Sequence, residues 1–274
     1  MTTGALIFAF NNEKTDYVQM AAWSAERIRQ HLSIPVAVVT DCQDRTRTRG
    51  FDRVIEADAA TGGARYFEDY QSTVTWHNAG RTGAYELSPW DQTLVLDADY
   101  VVNSDMLLHV LAAKQEFLCF KDAYDLSDPS REFLTTFGRH KLPMYWATAM
   151  MFRRGATAQW IFESMTMIRA NWQHYRDLYG IFESNYRNDY ALSIALALVN
   201  GHNPQVDTIP WKMASVLPEH RLSAMGDAFW QLEFTNADSQ RRKIGFAGID
   251  FHAMGKRDLG EIIAETAGLS DLSC

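Results

Sequence analysis

Two kinds of apolar pattern alternate along the chain. Short runs in which nearly every residue is apolar, GALIFAF (4–10), IPVAVVT (34–40) and the QTLVL that opens QTLVLDAD (92–99), are separated by longer stretches in which apolar residues return every three or four positions. The short runs read as strands buried on both faces, the longer stretches as helices with one face on a core. Val18, Ala21, Ala25, Ile28 and Leu32 carry the helical spacing over 15–32, between the first two strands. Strand, helix and strand in that order make a βαβ unit with a parallel pair. DRVIEA (52–57), EFLCF (116–120) and PMYWATAMMFRR (143–154) predict further strands. Helices are predicted over 76–87, from a Ser104 cap through Leu111, along Ile161, Met165, Ile168, Trp172 and Tyr175, and from Asn188 to Asn200. The tail predicts short strands near 206–210 and 244–251, then a helix from about 259. The Gly-rich, aromatic stretch 61–75 and the polar stretch 121–142 read as loops. The pattern is α/β, a sheet sandwiched by helices.

Composition narrows the class. With 274 residues, 47% hydrophobic and 22% charged, and no repeat or low-complexity linker, one compact domain is the simplest reading. The three cysteines, Cys42, Cys119 and Cys274, are too few and too scattered for a disulfide framework or a zinc site, which points to a reducing cytosol. No apolar run reaches membrane length. A formal net charge of −8 argues against nonspecific nucleic-acid binding over the whole surface, although local basic clusters occur at Arg45, Arg47, Arg49 and Arg53, at Arg153 and Arg154, and at Arg241, Arg242 and Lys243. Each cluster taken singly reads first as solvated surface charge. The oligomeric state is open.

The candidate chemistry begins at LVLDADYVV (94–102), where an apolar strand ends on Asp97 and Asp99. Adjacent carboxylates repel and resist desolvation, so nothing in folding asks for them there. Ligands of α/β sheets bind beyond the carboxyl ends of strands, where Asn11, Asp41 and Asp97 all lie. Two carboxylates one residue apart can converge on one cation, and their hard oxygens suit Mg²⁺ or Mn²⁺. The plain alternative is a turn, where Asp is common. IDFHAMGKR (249–257) adds a histidine after a strand-like run, then Gly255, Lys256 and Arg257. His252 taken alone reads as a structural histidine; paired with the two aspartates it reads as a third metal ligand. Gly255 lets the backbone approach a phosphate, and Lys256 neutralises it. Tyr66, Phe67, Tyr70 and Trp76 in the aromatic loop can stack on a sugar or base, or simply pack.

The first strand ending in Asn11 and Asn12, the long helix, VAVVTD, a cationic residue ahead of LVLDADYVVNSDML, and the late H-x-x-G-K together resemble the GT-A glycosyltransferases, most nearly family 8, the glycogenin and lipopolysaccharide galactosyltransferase group. The resemblance runs from Gly4 to Lys256. It implies a GT-A, Rossmann-like fold with a central mixed, mostly parallel sheet. It also implies a nucleotide-binding half over about 1–112, an acceptor and sugar half over about 113–258, and a C-terminal helix over about 259–274. Carried over residue by residue, Phe10, Asn11, Asn12 and Asp41 would face the nucleobase and ribose. Arg81 would contact donor phosphate or sugar, Asp97, Asp99 and His252 would hold Mn²⁺ or Mg²⁺, and Ala98 would lie near the ribose. Lys256 would grip the leaving diphosphate. Asn188 and Asp189 would flank the donor sugar, with Asp189 the acidic residue at the reacting centre. The chain departs from the family at Thr148, which stands in place of the usual Asn-Ala-Gly or Asn-Ser-Gly on its strand, at Tyr190 in place of glutamine, and at Lys256, which directly follows Gly255.

The resemblance implies a nucleotide-sugar donor, a UDP-sugar, and retention of anomeric configuration. For the acceptor it leaves a hydroxymethylated pyrimidine in phage-type DNA, a saccharide, a lipid-linked glycan or a protein hydroxyl. No membrane partner is implied, and the location is cytoplasmic, the host cytoplasm for a phage protein. Three other readings compete. A DxD phosphohydrolase normally carries its pair near the start of the fold. A nucleotidyltransferase would want a Gly-rich basic loop after the first strand, which FNNEKTDY lacks. A noncatalytic binding module would not need Asp97, Asp99, His252 and Lys256 together.

Overall fold

In the computed structural model, which describes residues 1–203, 205–226, 228–236 and 238–266, the chain opens with β1 (Thr3–Phe8), α1 (Tyr17–Leu32), β2 (Val36–Thr40) and β3 (Arg53–Glu56). Helix α1 forms because its apolar residues return on one face and both ends are capped. The Asp16 carboxylate accepts from the Gln19 amide at 3.0 Å, and Ser33 closes the last turn in the left-handed region at φ 54°.

The Gly-rich stretch expected as a loop is instead a hairpin, β4 (Ala64–Phe67) and β5 (Ser72–Thr75), closed by a 3-10 turn over Glu68–Tyr70. Over 76–87 the expected helix is shortened to a 3-10 turn at Ala79–Gly83 and a single turn, α2 (Ala84–Leu87). Next come β6 (Gln92–Leu96), β7 (Tyr100–Val101), α3 (Leu107–Ala112) and β8 (Phe117–Phe120). The polar stretch 121–142, also expected as a loop, contains β9 (Ala123–Asp125), β10 (Asp128–Glu132), β11 (Thr136–Phe137) and the start of β12 (Leu142–Pro143). Strand β13 (Trp146–Arg153) follows. The long helix expected after it is two, α4 (Ala156–Ala170) and α5 (Trp172–Tyr179), divided at Asn171. Helix α6 (Asn188–Val199) forms as expected. The strand expected at 206–210 lies later, as β14 (Met213–Val216). Strands β15 (Arg221–Ala224) and β16 (Phe229–Thr235) were not foreseen by the apolar pattern. The run 244–251 divides between β17 (Arg241–Ala247) and β18 (Phe251–Ala253), and α7 (Lys256–Thr266) begins at Lys256. The rest of that expected helix, 267–274, lies outside the described residues.

The main sheet has the order β3-β2-β1-β6-β13-β8. Strands β3, β2, β1 and β6 pair in parallel, while β13 runs antiparallel to both neighbours, so the sheet is mixed and mostly parallel. Every residue of β2 and β6 is buried, as a parallel sheet covered on both faces requires. Truncating one of these fully buried side chains, Ile7 for example, would cost about 2–5 kcal/mol through lost transfer energy and the cavity left behind. A second sheet has the order β10-β9-β14-β18-β7. Because β7 follows β6 after a turn of a few residues, the chain passes from the first sheet to the second through Asp97, Ala98 and Asp99. In the second sheet His252 on β18 pairs with Tyr100 on β7. Sheet pairing therefore brings residues more than a hundred and fifty positions apart in sequence to the aspartates.

Candidate active site

The turn between β6 and β7 is held from both sheets. The Asp97 amide donates to the Thr148 carbonyl at 2.9 Å, the Tyr100 amide to the Asp97 carbonyl at 3.0 Å, and the Ala253 amide to the Asp99 carbonyl at 2.9 Å. With the backbone fixed, both carboxylates point into a cavity of about 360 Å³ that Phe8, Phe10, Ala98, Thr148, His252 and Lys256 also line. Asp97 pairs with the Arg81 guanidinium and Asp99 with the Lys256 ammonium, while His252 Nε2 lies 3.5 Å from Asp99 Oδ2. One ligand atom from each of Asp97, Asp99 and His252 lies within 4.8 Å of the other two, a hard-oxygen and imidazole set able to hold a divalent ion. Burial opposes ionisation of Asp99, but the Lys256 ammonium and the His252 imidazole outweigh it and hold the carboxyl well below the ordinary carboxylate range.

The start of β13 arranges the opposite wall. Its pairing with β8 shifts register between Trp146 and Met150, so Ala147 and Thr148 are released from the ladder on that side. The Ala147 amide donates to Asp189 Oδ1 at 3.0 Å, and its carbonyl accepts from Arg81 Nη1 at 2.7 Å. Asp189 Oδ2 takes a charge-assisted bond from Arg187 Nη2 at 2.8 Å. The backbone of one residue thus spaces the predicted cation and the predicted acid. Burial acts against the Asp189 charge, and Arg187 with the Ala147 amide overcomes it, keeping the carboxyl below its usual range. Burial brings the Arg81 guanidinium down to about 10, with Asp189 and Asp99 opposing the drop. Asn188, in the first turn of α6, bonds through Nδ2 to the Asn78 carbonyl at 2.9 Å and accepts from the Tyr186 hydroxyl at 3.1 Å.

The third wall joins aromatics that the sequence offered for stacking, Tyr66, Phe67 and Trp76, to residues that it did not single out, Arg65, Glu68, Asp69, His77 and Arg187. Arg65, Tyr66, Phe67, Glu68 and Asp69 of the hairpin line the cavity, with Trp76, His77 and Arg187. The Asp69 carboxylate accepts from the Lys256 and Arg257 amides at 2.5 and 3.0 Å, capping α7 from another segment and tying the hairpin to the Lys256 turn. The aromatic content of 61–76 was the available signal. Arg65 and Asp69 carried none, because their partners are distant in sequence.

Of the residues expected at the site, Phe10, Arg81, Asp97, Ala98, Asp99, Thr148, Asn188, Asp189, His252 and Lys256 line this one cavity. Asn11, Asn12, Asp41 and Gly255 do not line it. The Asn11 side chain accepts from the Val18 amide and Asn12 from the Lys14 and Thr15 amides, so their carbonyl oxygens shape the entry to α1. Asp41 is exposed beyond β2, and Gly255 packs against Pro218.

No protein-family model matches the chain, and no curated protein matches it. Among solved structures it is similar to the glycosyltransferase GlyE of Streptococcus pneumoniae TIGR4, with 12% identity, TM-score 0.44, 77% of this chain covered and 46% of that one. It is similar to the galactosyltransferase LgtC in complex with donor and acceptor sugar analogs, with 13% identity, TM-score 0.41 and 70% of each chain covered. It is also similar to mouse xyloside xylosyltransferase 1, with 12% identity, TM-score 0.43, 74% of this chain covered and 83% of that one. The chain thus spans less than half the length of GlyE. A glucose-1-phosphate thymidylyltransferase from Bacillus anthracis occurs among the similar structures as well. Likeness at this level does not determine function, which has to rest on the site's own geometry. No helix among the described residues is long and apolar enough to cross a membrane.

Proposed function

We propose that the chain is a metal-dependent glycosyltransferase of the GT-A type, closest in its motifs to family 8, that moves a sugar from a UDP-sugar to an acceptor hydroxyl with retention of configuration. One observation carries this reading. Asp97 and Asp99, in the turn that joins the two sheets, and His252, on the strand beside that turn, meet at a single cavity that also holds Arg81, Lys256 and Asp189. Asp97, Asp99 and His252 would hold Mn²⁺ or Mg²⁺, whose charge, when bound, offsets that of the leaving diphosphate. Lys256 and Arg81, each already paired with one of the aspartates, stand ready to exchange that partner for phosphate oxygens. Asp189 has both oxygens engaged, one by the Ala147 amide and one by Arg187. It is therefore read as a fixed negative charge that stabilises an oxocarbenium-like sugar. Thr148 and Asn188 would contact the sugar, Ala98 the ribose and Phe10 the base. Asn11, Asn12, Asp41 and Gly255, named above from the family resemblance, would act through the shape of the turns they occupy.

The division into a nucleotide-binding half over about 1–112 and an acceptor half over about 113–258 belongs to the same proposal, as does a cytoplasmic location. Of the acceptors, a saccharide is better supported than a modified pyrimidine in DNA. Five of the nine basic residues in the clusters that could have met phosphates are engaged within the chain by carboxylates or backbone carbonyls. Arg47 pairs with Asp16, Arg45 with Glu56 at 3.5 Å, and Lys243 with Glu233, while Arg153 and Arg154 donate to the Leu111 and Ser88 carbonyls at 3.0 and 2.7 Å. A DxD phosphohydrolase is not favoured, because the pair sits in a turn between two sheets, with the first carboxylate paired to Arg81.

The test is release of UDP from a panel of UDP-sugars with Mn²⁺, with and without saccharides or hydroxymethylated DNA. Metal-dependent release, stimulated by one acceptor, is expected. Release of phosphate from simple esters in place of UDP would replace this reading with the phosphohydrolase one.

A further inference from the structure

Three of the four basic side chains lining the cavity have a carboxylate partner: Arg81 with Asp97, Arg187 with Asp189 and Lys256 with Asp99. Arg65 is the exception. Among the described residues no carboxylate lies within 4.0 Å of it, and its one hydrogen-bond acceptor is the Tyr186 carbonyl, at 2.8 Å from Nη2. Its guanidinium stacks on Trp76, 3.5 Å from the ring centroid, which fixes the plane and leaves the remaining N–H groups unspent.

The electrostatics around it ask for an anion. Burial brings Arg65 down to about 10, and the like charge of Arg187 is the next cause, with Asp189 acting against both. Two guanidinium groups thus share the influence of one carboxylate, which Arg187 already holds. The stack on Trp76 and the bond to Tyr186 brace the hairpin, but a half-buried arginine under the like charge of another costs desolvation and repulsion that those two contacts do not require. The hairpin nevertheless holds it in place: the Asn185 carboxamide donates to the Ala64 carbonyl at 2.7 Å, next to Arg65, and Asp69 ties the far end to α7. Arg187 pairs with Asp189 and Arg65 bonds to the carbonyl of the adjacent Tyr186, so both arginines belong to the wall that carries Asp189, assigned above to the sugar.

We propose that Arg65, with Arg187 beside it, is an anion-binding subsite that receives a negatively charged oxygen group of the donor which the metal-site residues do not reach. This deepens the nucleotide-sugar reading and rests on it. The anion has two possible sources, a carboxylate on the transferred sugar, as in a uronic acid, or the sugar-proximal phosphate. A planar guanidinium matches either through paired N–H bonds, which a lysine cannot reproduce.

Calorimetric titration of UDP-glucuronate and UDP-glucose, each with Mn²⁺, into wild type, Arg65→Gln and Arg65→Lys tests it, with melting temperatures as the control for folding. A preference of about tenfold or more for UDP-glucuronate in wild type, erased in Arg65→Gln, identifies the sugar carboxylate. Equal binding of both donors, weakened about tenfold in Arg65→Gln and partly restored in Arg65→Lys, identifies the phosphate. Both results bear the subsite out. Unchanged binding of both donors in Arg65→Gln overturns it and leaves the donor reading standing. So does equal weakening in both variants together with a lowered melting temperature, which would make Arg65 a structural brace. No binding of either donor to wild type overturns the donor reading and the subsite with it.

Discussion

Two clusters of buried charge sit at opposite ends of the same short pair of strands, β7 and β18, and they behave differently. At one end Asp97, Asp99 and His252 border a cavity with Arg81 and Lys256. At the other, Asn103 and Asp250 meet Arg27 of α1. The Arg27 guanidinium lies 5.1 and 5.6 Å from the Trp23 and Trp230 rings, donates to the Val102 carbonyl at 2.9 Å and bonds to Asn103 Oδ1. Asp250 Oδ1 accepts from the Asn103 amide at 2.7 Å and from the Ser104 hydroxyl at 2.9 Å. None of Arg27, Asn103 and Asp250 lines the large cavity. Buried charge is therefore not the mark of chemistry in this molecule. In the Arg27 cluster polar groups close on one another under two tryptophans. In the Asp99 cluster carboxylates converge beside open volume, and the surrounding cations hold partners that a ligand could displace.

That contrast breaks most sharply under substitution. Asp99→Asn is expected to lower metal-dependent donor turnover by about a thousandfold while leaving the fold in place, because it removes a proposed metal ligand and the partner of Lys256. Steady-state kinetics beside a circular-dichroism melt separate the two effects. Arg27→Ala should do the reverse. Losing the partner of Asn103 and the filling between two indoles should cost about 2–4 kcal/mol of stability in denaturant titrations, with turnover per folded molecule unchanged. His252→Ala should weaken Mn²⁺ binding by about 10–100-fold, read by metal titration, with a smaller effect on stability than Arg27→Ala.

Asp250 sharpens the comparison through pH. Burial raises its carboxyl to about 6, against the lowering pull of the Asn103 amide, the Ser104 hydroxyl and amide, and Arg27. Below about pH 4 the group is protonated folded and unfolded, and it contributes nothing. Between that and about pH 6 the unfolded chain gives up the proton while the folded chain keeps it, so stability falls as pH rises. Above about pH 6 the loss is complete. Asp250→Asn, whose carbonyl can still accept from Asn103 and Ser104, should therefore be more stable than wild type by about 1–3 kcal/mol at pH 7.5, with the gain vanishing toward pH 4. Melts across that range read the difference.

Much of the site was legible because charge stood where burial was expected. LVLDADYVV announced its two aspartates by breaking an apolar run, and the Gly-Lys after His252 marked a second break. The long strands and helices were legible through their periods. The second sheet was not, because β7, β9 and β18 are two or three residues long and carry no period. The hairpin was missed for a related reason: β4 and β5 are four residues each, and two glycines lead into the first, which read as loop. Arg65 was missed because its meaning lies in what it faces, and only the fold brings Tyr186 and the stacked Trp76 to it; Arg187 was missed although its partner Asp189 is two residues away, because a charged pair at that spacing reads as surface. The opposite error occurred at Asn11 and Asn12. They lie at a strand end as a ligand site requires, yet their side chains bond to the next segment's amides, the local competition typical of Asn.

The most direct test of the donor site is a calorimetric titration of UDP into wild type and Asp99→Asn, each with and without Mn²⁺. Binding to wild type that needs Mn²⁺, and that drops by about tenfold or more in Asp99→Asn, is the expected result. UDP binding that is indifferent to both the metal and the substitution, or no binding under any of the four conditions, would contradict it.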